Sequence, residues 1–66
     1  MTVTEIKTAV DAGLTVHWDN ASYIVRRSPA TGDYNIVCTS NNSCIGLTWR
    51  DGITLNGNPT DFYLSR

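Results

Sequence analysis

The spacing of hydrophobic residues is helical up to Gly13 and alternating after it. Thr2 followed by Glu5 matches a capping box, in which each side chain binds the backbone N–H of the other residue. Gly13 is suited to the position after a helix that adopts the left-handed conformation and ends it. These signals predict a helix from Val3 to Ala12, about three turns long, which is too short to be stable alone and must pack on another surface. The apolar positions with helical spacing are Val3, Ile6 and Val10.

From Leu14 onward, apolar and polar residues alternate in short stretches that are separated by turn-forming residues. Such alternation is typical of β-strands with one buried face. In the first hairpin, pairing Trp18 with Tyr23 would keep the large side chains on one face. Pro59 favours an edge position for the last strand. The stretches are "LTVHW", "YIVRR", "YNIVC", "CIGLTW", "ITL" and "DFYL".

One helix followed by these strands predicts an α+β fold. We expect a single domain over residues 1–66, with one N-terminal helix packed on a four- to five-stranded antiparallel meander that is either open or curled toward a small barrel. Hydrophobic residues make up 41% of the chain and charged residues 17%, which excludes a disordered, solvated chain. A core of this size supplies only about 3–5 kcal/mol of net stability, so the core must be efficient.

Cys38 and Cys44 lie on either side of a polar segment in "NIVCTSNNSCIGL". A four-residue loop, "SNNS", would place Cys38 opposite Ile45 and continue one apolar face as far as Trp49. A five-residue loop would place the two cysteines opposite each other and turn Ile45 and Trp49 out of phase. The pattern favours two free thiols over a disulfide. A zinc site would need two further ligands, and only His17 is of the right kind outside the carboxylates.

The segment after Trp49 predicts another hairpin. A three-residue loop, "RDG", would place Gly52 in the left-handed conformation. That loop would keep Ile53 and Leu55 on the apolar face. Trp49 would then be the largest side chain between the helix and the sheet.

No group of residues in the sequence is typical of an active site. His17 is predicted to face solvent from a strand, and no nucleophile is placed beside it. Cys44 has no basic neighbours in the sequence that would activate a thiol. The aspartates are scattered through turns, and no glycine-rich phosphate loop is present. We therefore expect no enzymatic activity, no metal site and no cofactor.

The charge balance bears on partners and location. Five Lys+Arg against six Asp+Glu give a formal net charge of -1, which argues against a strong phosphate-binding surface. No apolar run approaches the roughly 20 residues of a membrane span, and the N-terminal residues do not resemble a secretory signal. The sequence thus predicts a cytoplasmic protein that does not bind a membrane.

The sheet face that points away from the helix is the candidate partner-binding surface. Ile24 and Val37 are predicted to form its apolar centre, inside a polar rim of the kind found in protein interfaces. If the sheet closed into a barrel, both side chains would be buried within the monomer instead. The rim residues are His17, Arg26, Asn35 and Thr48.

An alternative function is a small nucleic-acid-binding accessory domain. Nucleic-acid single strands are held by basic residues together with aromatic side chains on which bases stack. Tyr23 or Tyr34 would supply the stacking. The basic residues would be Arg26, Arg27 and Arg50.

In the segments "AVDAGLTVHWDNASYIV" and "NIVCTSNNSCIGLTWRDGITLNG", the chain resembles short uncharacterised proteins that are encoded by bacterial phages and other mobile elements. The resemblance covers most of the chain and rests on turns and core aromatic residues. It implies a small inhibitor that binds and occludes a bacterial host protein complex, as anti-CRISPR proteins do. A homodimer is a further assembly that the exposed sheet face would permit.

Overall fold

The computed structural model of the protein describes residues 1–65 and has the predicted helix at its N-terminus. Thr2 Oγ1 accepts a hydrogen bond from the Glu5 N–H at 3.1 Å, and Glu5 Oε1 accepts one from the Thr2 N–H at 2.8 Å. Gly13 follows the helix with a φ of +83°. The capping box and the left-handed end are confirmed. The elements are α1 (Val3–Asp11), β1 (Val16–Trp18), β2 (Asn20–Arg27), β3 (Tyr34–Cys38), β4 (Cys44–Gly46), a 3₁₀ turn (Pro59–Asp61) and β5 (Phe62–Leu64).

The strands form one antiparallel sheet in the order β4-β3-β2-β1-β5. Because β5 returns to pair with β1, β4 and β5 are the two edges and the sheet stays open rather than closing into a barrel. The predicted α+β fold is confirmed. Pro59 precedes the edge strand β5, in the turn that leads into it.

The core lies between α1 and one face of the sheet. Ile6 and Ala9 are the buried residues of the helix. Val25 and Ile36 are direct cross-strand partners and are both buried, as the alternating pattern requires. The buried hydrophobic residues are Ile6, Ala9, Val16, Val25, Ile36, Cys38, Leu47 and Phe62.

The first hairpin contains a β-bulge that the alternating pattern does not reveal. His17 pairs with Ile24 in the expected register, but Trp18 pairs with Asn20. The chain reverses at Asp19, which has a φ of +65°. The predicted Trp18–Tyr23 backbone pair is therefore wrong. The two rings still meet edge to face, with centroids 5.0 Å apart.

The register between β3 and β4 differs by two residues from the prediction. Ile36 pairs with Ile45, and Val37 pairs with Cys44. A shift of two residues keeps every side chain on its predicted face, so Cys44 still points away from the core. The shift arises because the loop turns one residue earlier, with Asn42 in the left-handed region at φ +60°.

The hairpin after β4 has a four-residue loop instead of the predicted three. The Trp49 N–H donates to the Thr54 carbonyl at 2.8 Å, so Ile53 lies in the loop. Asp51 selects this loop, because its carboxylate accepts hydrogen bonds from the N–H groups of Ile53 and Thr54 and from the Thr54 hydroxyl. Gly52 is left-handed as predicted, with a φ of +71°. The predicted core position of Trp49 is wrong: the side chains of Trp49 and Ile53 are 66% and 77% exposed.

Candidate functional site

The sheet face opposite α1 carries one row of side chains that crosses all five strands. We call this row, which has one residue from each strand, the outer row. Two of its central members, Ile24 and Val37, are half-buried neighbours, and the end residue Tyr63 is 42% exposed. From β5 to β4, the outer row consists of Tyr63, His17, Ile24, Val37 and Cys44.

The structure brings most of the predicted partner-binding residues together. Three of them, His17, Ile24 and Val37, are consecutive members of the outer row. Arg26 and Asn35 are direct cross-strand partners two residues further along β2 and β3, on the same face. Thr48 lies outside the named strands, in the segment that follows β4.

His17 is held in one orientation. Its Nδ1 lies 3.0 Å from the carbonyl oxygen of Tyr23, which can only accept, so Nδ1 is the donor in this hydrogen bond. The ring also contacts the Tyr63 ring, with centroids 5.3 Å apart. Within residues 1–65, no serine, cysteine or carboxylate hydrogen-bonds to this imidazole. The contacts with Tyr23 and Tyr63 thus fix the position of the imidazole on the sheet face.

Neither thiol is part of a metal site or a disulfide. Cys38 is buried, and its Sγ lies 3.1 Å from Ser40 Oγ. Hydrogen bonds from Ser40, first from its hydroxyl and then from its backbone, lower the pKa of the Cys38 thiol. Cys44 is an exposed free cysteine at the end of the outer row. In the part of the chain that the structure describes, no three potential metal ligands come together.

A groove of about 400 Å³ lies between the hairpin that follows β4, Lys7 in the middle of α1, and the start of β3. Two of the predicted partner-binding residues, Asn35 and Thr48, line this groove. The groove is therefore adjacent to the outer face of the sheet. Lys7 and Trp49 belong to the same groove but were not predicted as site residues. The lining residues are Lys7, Gly32, Asp33, Tyr34, Asn35, Gly46, Thr48, Trp49, Arg50 and Gly52.

Tyr34 forms one wall of this groove and is fixed by charged neighbours. Its hydroxyl lies 2.7 Å and 2.8 Å from the two carboxylate oxygens of Asp11, and this bond raises the pKa of Tyr34. Arg27 pairs with the same carboxylate at 3.4 Å. The Lys7 ammonium and the Arg27 guanidinium lie 5.2 Å and 5.5 Å from the centre of the Tyr34 ring.

The three arginines of the nucleic-acid alternative are not one cluster. Arg26 projects from the outer face of the sheet, whereas Arg27 binds Asp11 and the Gly32 carbonyl. Arg50 lines the groove together with Lys7. Sequence reasoning missed Lys7 because its position beside β3 depends on how the helix packs.

Comparison with known proteins adds no family. No family model matches the chain, and neither the curated proteins nor the solved structures contain a match. No helix among residues 1–65 is long and apolar enough to cross a membrane.

Proposed function

We propose that the protein is a small, non-enzymatic binding module that docks a partner protein on the outer face of its sheet. The observation that supports this proposal is the outer row, in which aromatic, aliphatic, imidazole and thiol side chains run across all five strands on the face that α1 does not cover. We further propose that the partner is a bacterial host protein and that binding inhibits it by occlusion.

The composition of the face fits a protein interface. Ile24 and Val37 supply an apolar centre, and Tyr63 supplies an aromatic side chain of the type that contributes strongly to binding. Arg26 and Asn35 form a polar pair beside them. This pair can provide specificity, because a wrong partner would leave its polar groups without hydrogen bonds.

The protein is also large enough to present a protein interface of standard size. A standard interface covers about 800 Å² on each partner. The described chain has 4448 Å² of accessible surface, so such an interface needs less than a fifth of it.

A charge placed in the outer row tests the proposal. Val37→Asp would be solvated in the free protein but stranded in a complex, so it should abolish binding. The matched control is Ala30→Asp, which adds the same charge on the exposed loop between β2 and β3. Both variants and the wild type would be immobilised, exposed to nuclease-treated bacterial lysate, and washed at high salt.

The expected result is one protein retained by the wild type and by Ala30→Asp but lost with Val37→Asp. Purified partner and isothermal titration calorimetry would then measure the loss of affinity. Equal retention by a folded Val37→Asp variant would contradict the proposal. Sedimentation of the purified protein alone, with and without Val37→Asp, separates a homodimer on this face from a heterologous partner.

A further inference from the structure

We propose that the groove beside Trp49 binds a nucleotide unit, with the base stacked on Trp49 and the phosphate held by Lys7 and Arg50. This site is distinct from the outer row, since none of these three residues belongs to it. The groove volume of about 400 Å³ lies within the usual range of about 300–1,000 Å³ for small-ligand sites.

Trp49 is the available stacking surface of the groove. It is 66% exposed, although tryptophan is normally among the more buried residues. Tyr34 is less suited to stacking, because Lys7 and Arg27 already lie over its ring. Bases stack on aromatic side chains irrespective of sequence, since every base has a flat π-face.

The loop next to Trp49 is fixed before any ligand arrives. The Asp51 carboxylate accepts three hydrogen bonds from Ile53 and Thr54, at 2.9, 2.9 and 2.6 Å. Trp49 itself is joined to Thr54 and Gly52 by backbone hydrogen bonds of 2.8 Å and 2.9 Å. A loop backbone held in this way loses less conformational entropy on binding than a mobile loop.

The groove combines that surface with positive charge in a protein whose net charge is negative. Lys7 and Arg50 outweigh Asp33, so the lining residues carry a formal charge of +2 and -1, or +1 in sum. The whole chain carries -1. Arg27 is not a lining residue of the groove, and it is paired with Asp11. The cations favour an anion in the groove, and the position of Asp33 weakens that preference.

The remaining lining groups can bind the base and sugar. Asn35 and Thr48 are half-buried and offer an amide and a hydroxyl for hydrogen bonds. Gly46 and Gly52 also line the groove, where the absence of a side chain lets a ligand approach the backbone. Aromatic, cationic and amide groups around one groove match the three parts of a nucleotide.

The test uses two probes and pairs of matched variants. The probes are adenosine monophosphate and a short fluorescent oligodeoxythymidine, measured by NMR titration and by fluorescence anisotropy with the intact protein. Trp49→Ala is matched by Ile53→Ala, since Ile53 is 77% exposed in the same hairpin but does not line the groove. Arg50→Gln is matched by Arg50→Lys, which keeps the positive charge at the same position.

We expect Trp49→Ala to weaken binding by about fivefold to 150-fold, the range of one base–aromatic stack, with Ile53→Ala unchanged. Arg50→Gln should weaken binding by about twofold to fivefold, as for an exposed ion pair, and Arg50→Lys should retain most of the affinity. Asp33→Asn should strengthen binding of the probes, because it removes the negative charge from the groove. One contacted phosphate predicts a slope of about -0.7 for log affinity of the oligonucleotide against log salt.

The two probes distinguish the sources of the nucleotide. Comparable affinity for both supports a free nucleotide as the ligand, and a much higher affinity for the oligonucleotide supports a single strand. Binding of neither probe would overturn the proposal, as would equal effects of Trp49→Ala and Ile53→Ala or full competition by inorganic phosphate alone. If Trp49→Ala lowers the melting temperature, the affinities of Trp49→Phe and of the two arginine variants for the probes test the proposal instead.

Discussion

At the residue scale, Tyr34 joins the helix to the sheet. Its hydroxyl donates to the carboxylate of Asp11, in the last turn of α1, and Arg27 of β2 binds the same group. A hydrogen bond to a charged acceptor is stronger than one between neutral groups. This contact fixes the position of the helix end and thereby shapes the groove.

The Tyr34–Asp11 bond predicts a specific pH dependence of stability. The bond raises the pKa of Tyr34 above the ordinary value of 10.0. A raised pKa in the folded state means that the stabilisation is fully present below the unfolded value and is lost as the pH rises through the folded value. We therefore expect Tyr34→Phe to lower the melting temperature at neutral pH, and this difference from the wild type to shrink above the ordinary tyrosine pKa. Tyr63→Phe is the control, since its hydroxyl has no partner within residues 1–65.

Leu47 and Trp49, two residues apart, should respond in opposite ways to truncation. Leu47 is fully buried, so Leu47→Ala should lower the free energy of unfolding by about 2–5 kcal/mol. Trp49 is largely exposed, so Trp49→Ala should change it by no more than about 0.5 kcal/mol. Urea denaturation of both variants would measure the difference. A loss of several kcal/mol for Trp49→Ala would restore the core position that the sequence pattern suggests.

At the element scale, the sequence predicted the helix more accurately than it predicted how the strands pair. The helix follows from short-range chemistry between Thr2 and Glu5, which no distant residue has to complete. The register of β3 and β4 does not follow from short-range chemistry. A period of two in the sequence is equally satisfied when one strand slides by two residues. The hydrogen bonds of Asp51 decide the next loop, and the sequence pattern did not reveal them.

The same distinction separates the two candidate surfaces. Alternation along β2 and β3 was enough to place Ile24 and Val37 on one face and Val25 and Ile36 on the other. The groove could not be predicted, because it requires the loop that exposes Trp49 and the packing of the helix against β3. The outer row follows from a periodic pattern, whereas the groove follows from tertiary structure.

The loop before β5 depends on a glycine that contacts the core. Gly57 has a φ of +140°, and a Cβ atom there would lie 2.9 Å from Trp18 Nε1. That nitrogen is buried and has no hydrogen-bond partner among residues 1–65, and its ring contacts Tyr23 and Phe62. Any side chain at this position must displace the indole.

Alanine substitutions at two glycines separate backbone strain from this contact. Gly52→Ala introduces strain alone, about 1–2 kcal/mol, because nothing lies near its Cβ position. Gly57→Ala adds the collision with Trp18 to a strain of about 1–3 kcal/mol, so it should be the more destabilising variant. Thermal unfolding followed by near-UV circular dichroism would report both stability and the Trp18 environment. Equal melting temperatures for the two variants would show that the indole moves without cost.

At the scale of the whole molecule, a single small core supports a sheet with two different faces. The helix covers one face, and the buried hydrophobic residues lie there or in the segments that pack against it. The open strand order leaves the opposite face without a helix among residues 1–65. The proposed binding face can therefore be altered separately from the core, because the two lie on opposite faces of the same strands.

Adjacent residues of β3 test this separation directly. Ile36 is 1% exposed in the core, so Ile36→Asp would bury a carboxylate at a cost of several kcal/mol, which exceeds the roughly 3–5 kcal/mol that a core of this size supplies. We expect that variant to be unfolded. Val37→Asp, on the outer row, should cost on the order of 1 kcal/mol, the span of β-strand propensities. Far-UV circular dichroism and amide NMR spectra would distinguish the two outcomes. If Val37→Asp unfolds the chain as Ile36→Asp does, the face that we assign to partner binding is instead required for folding of the monomer.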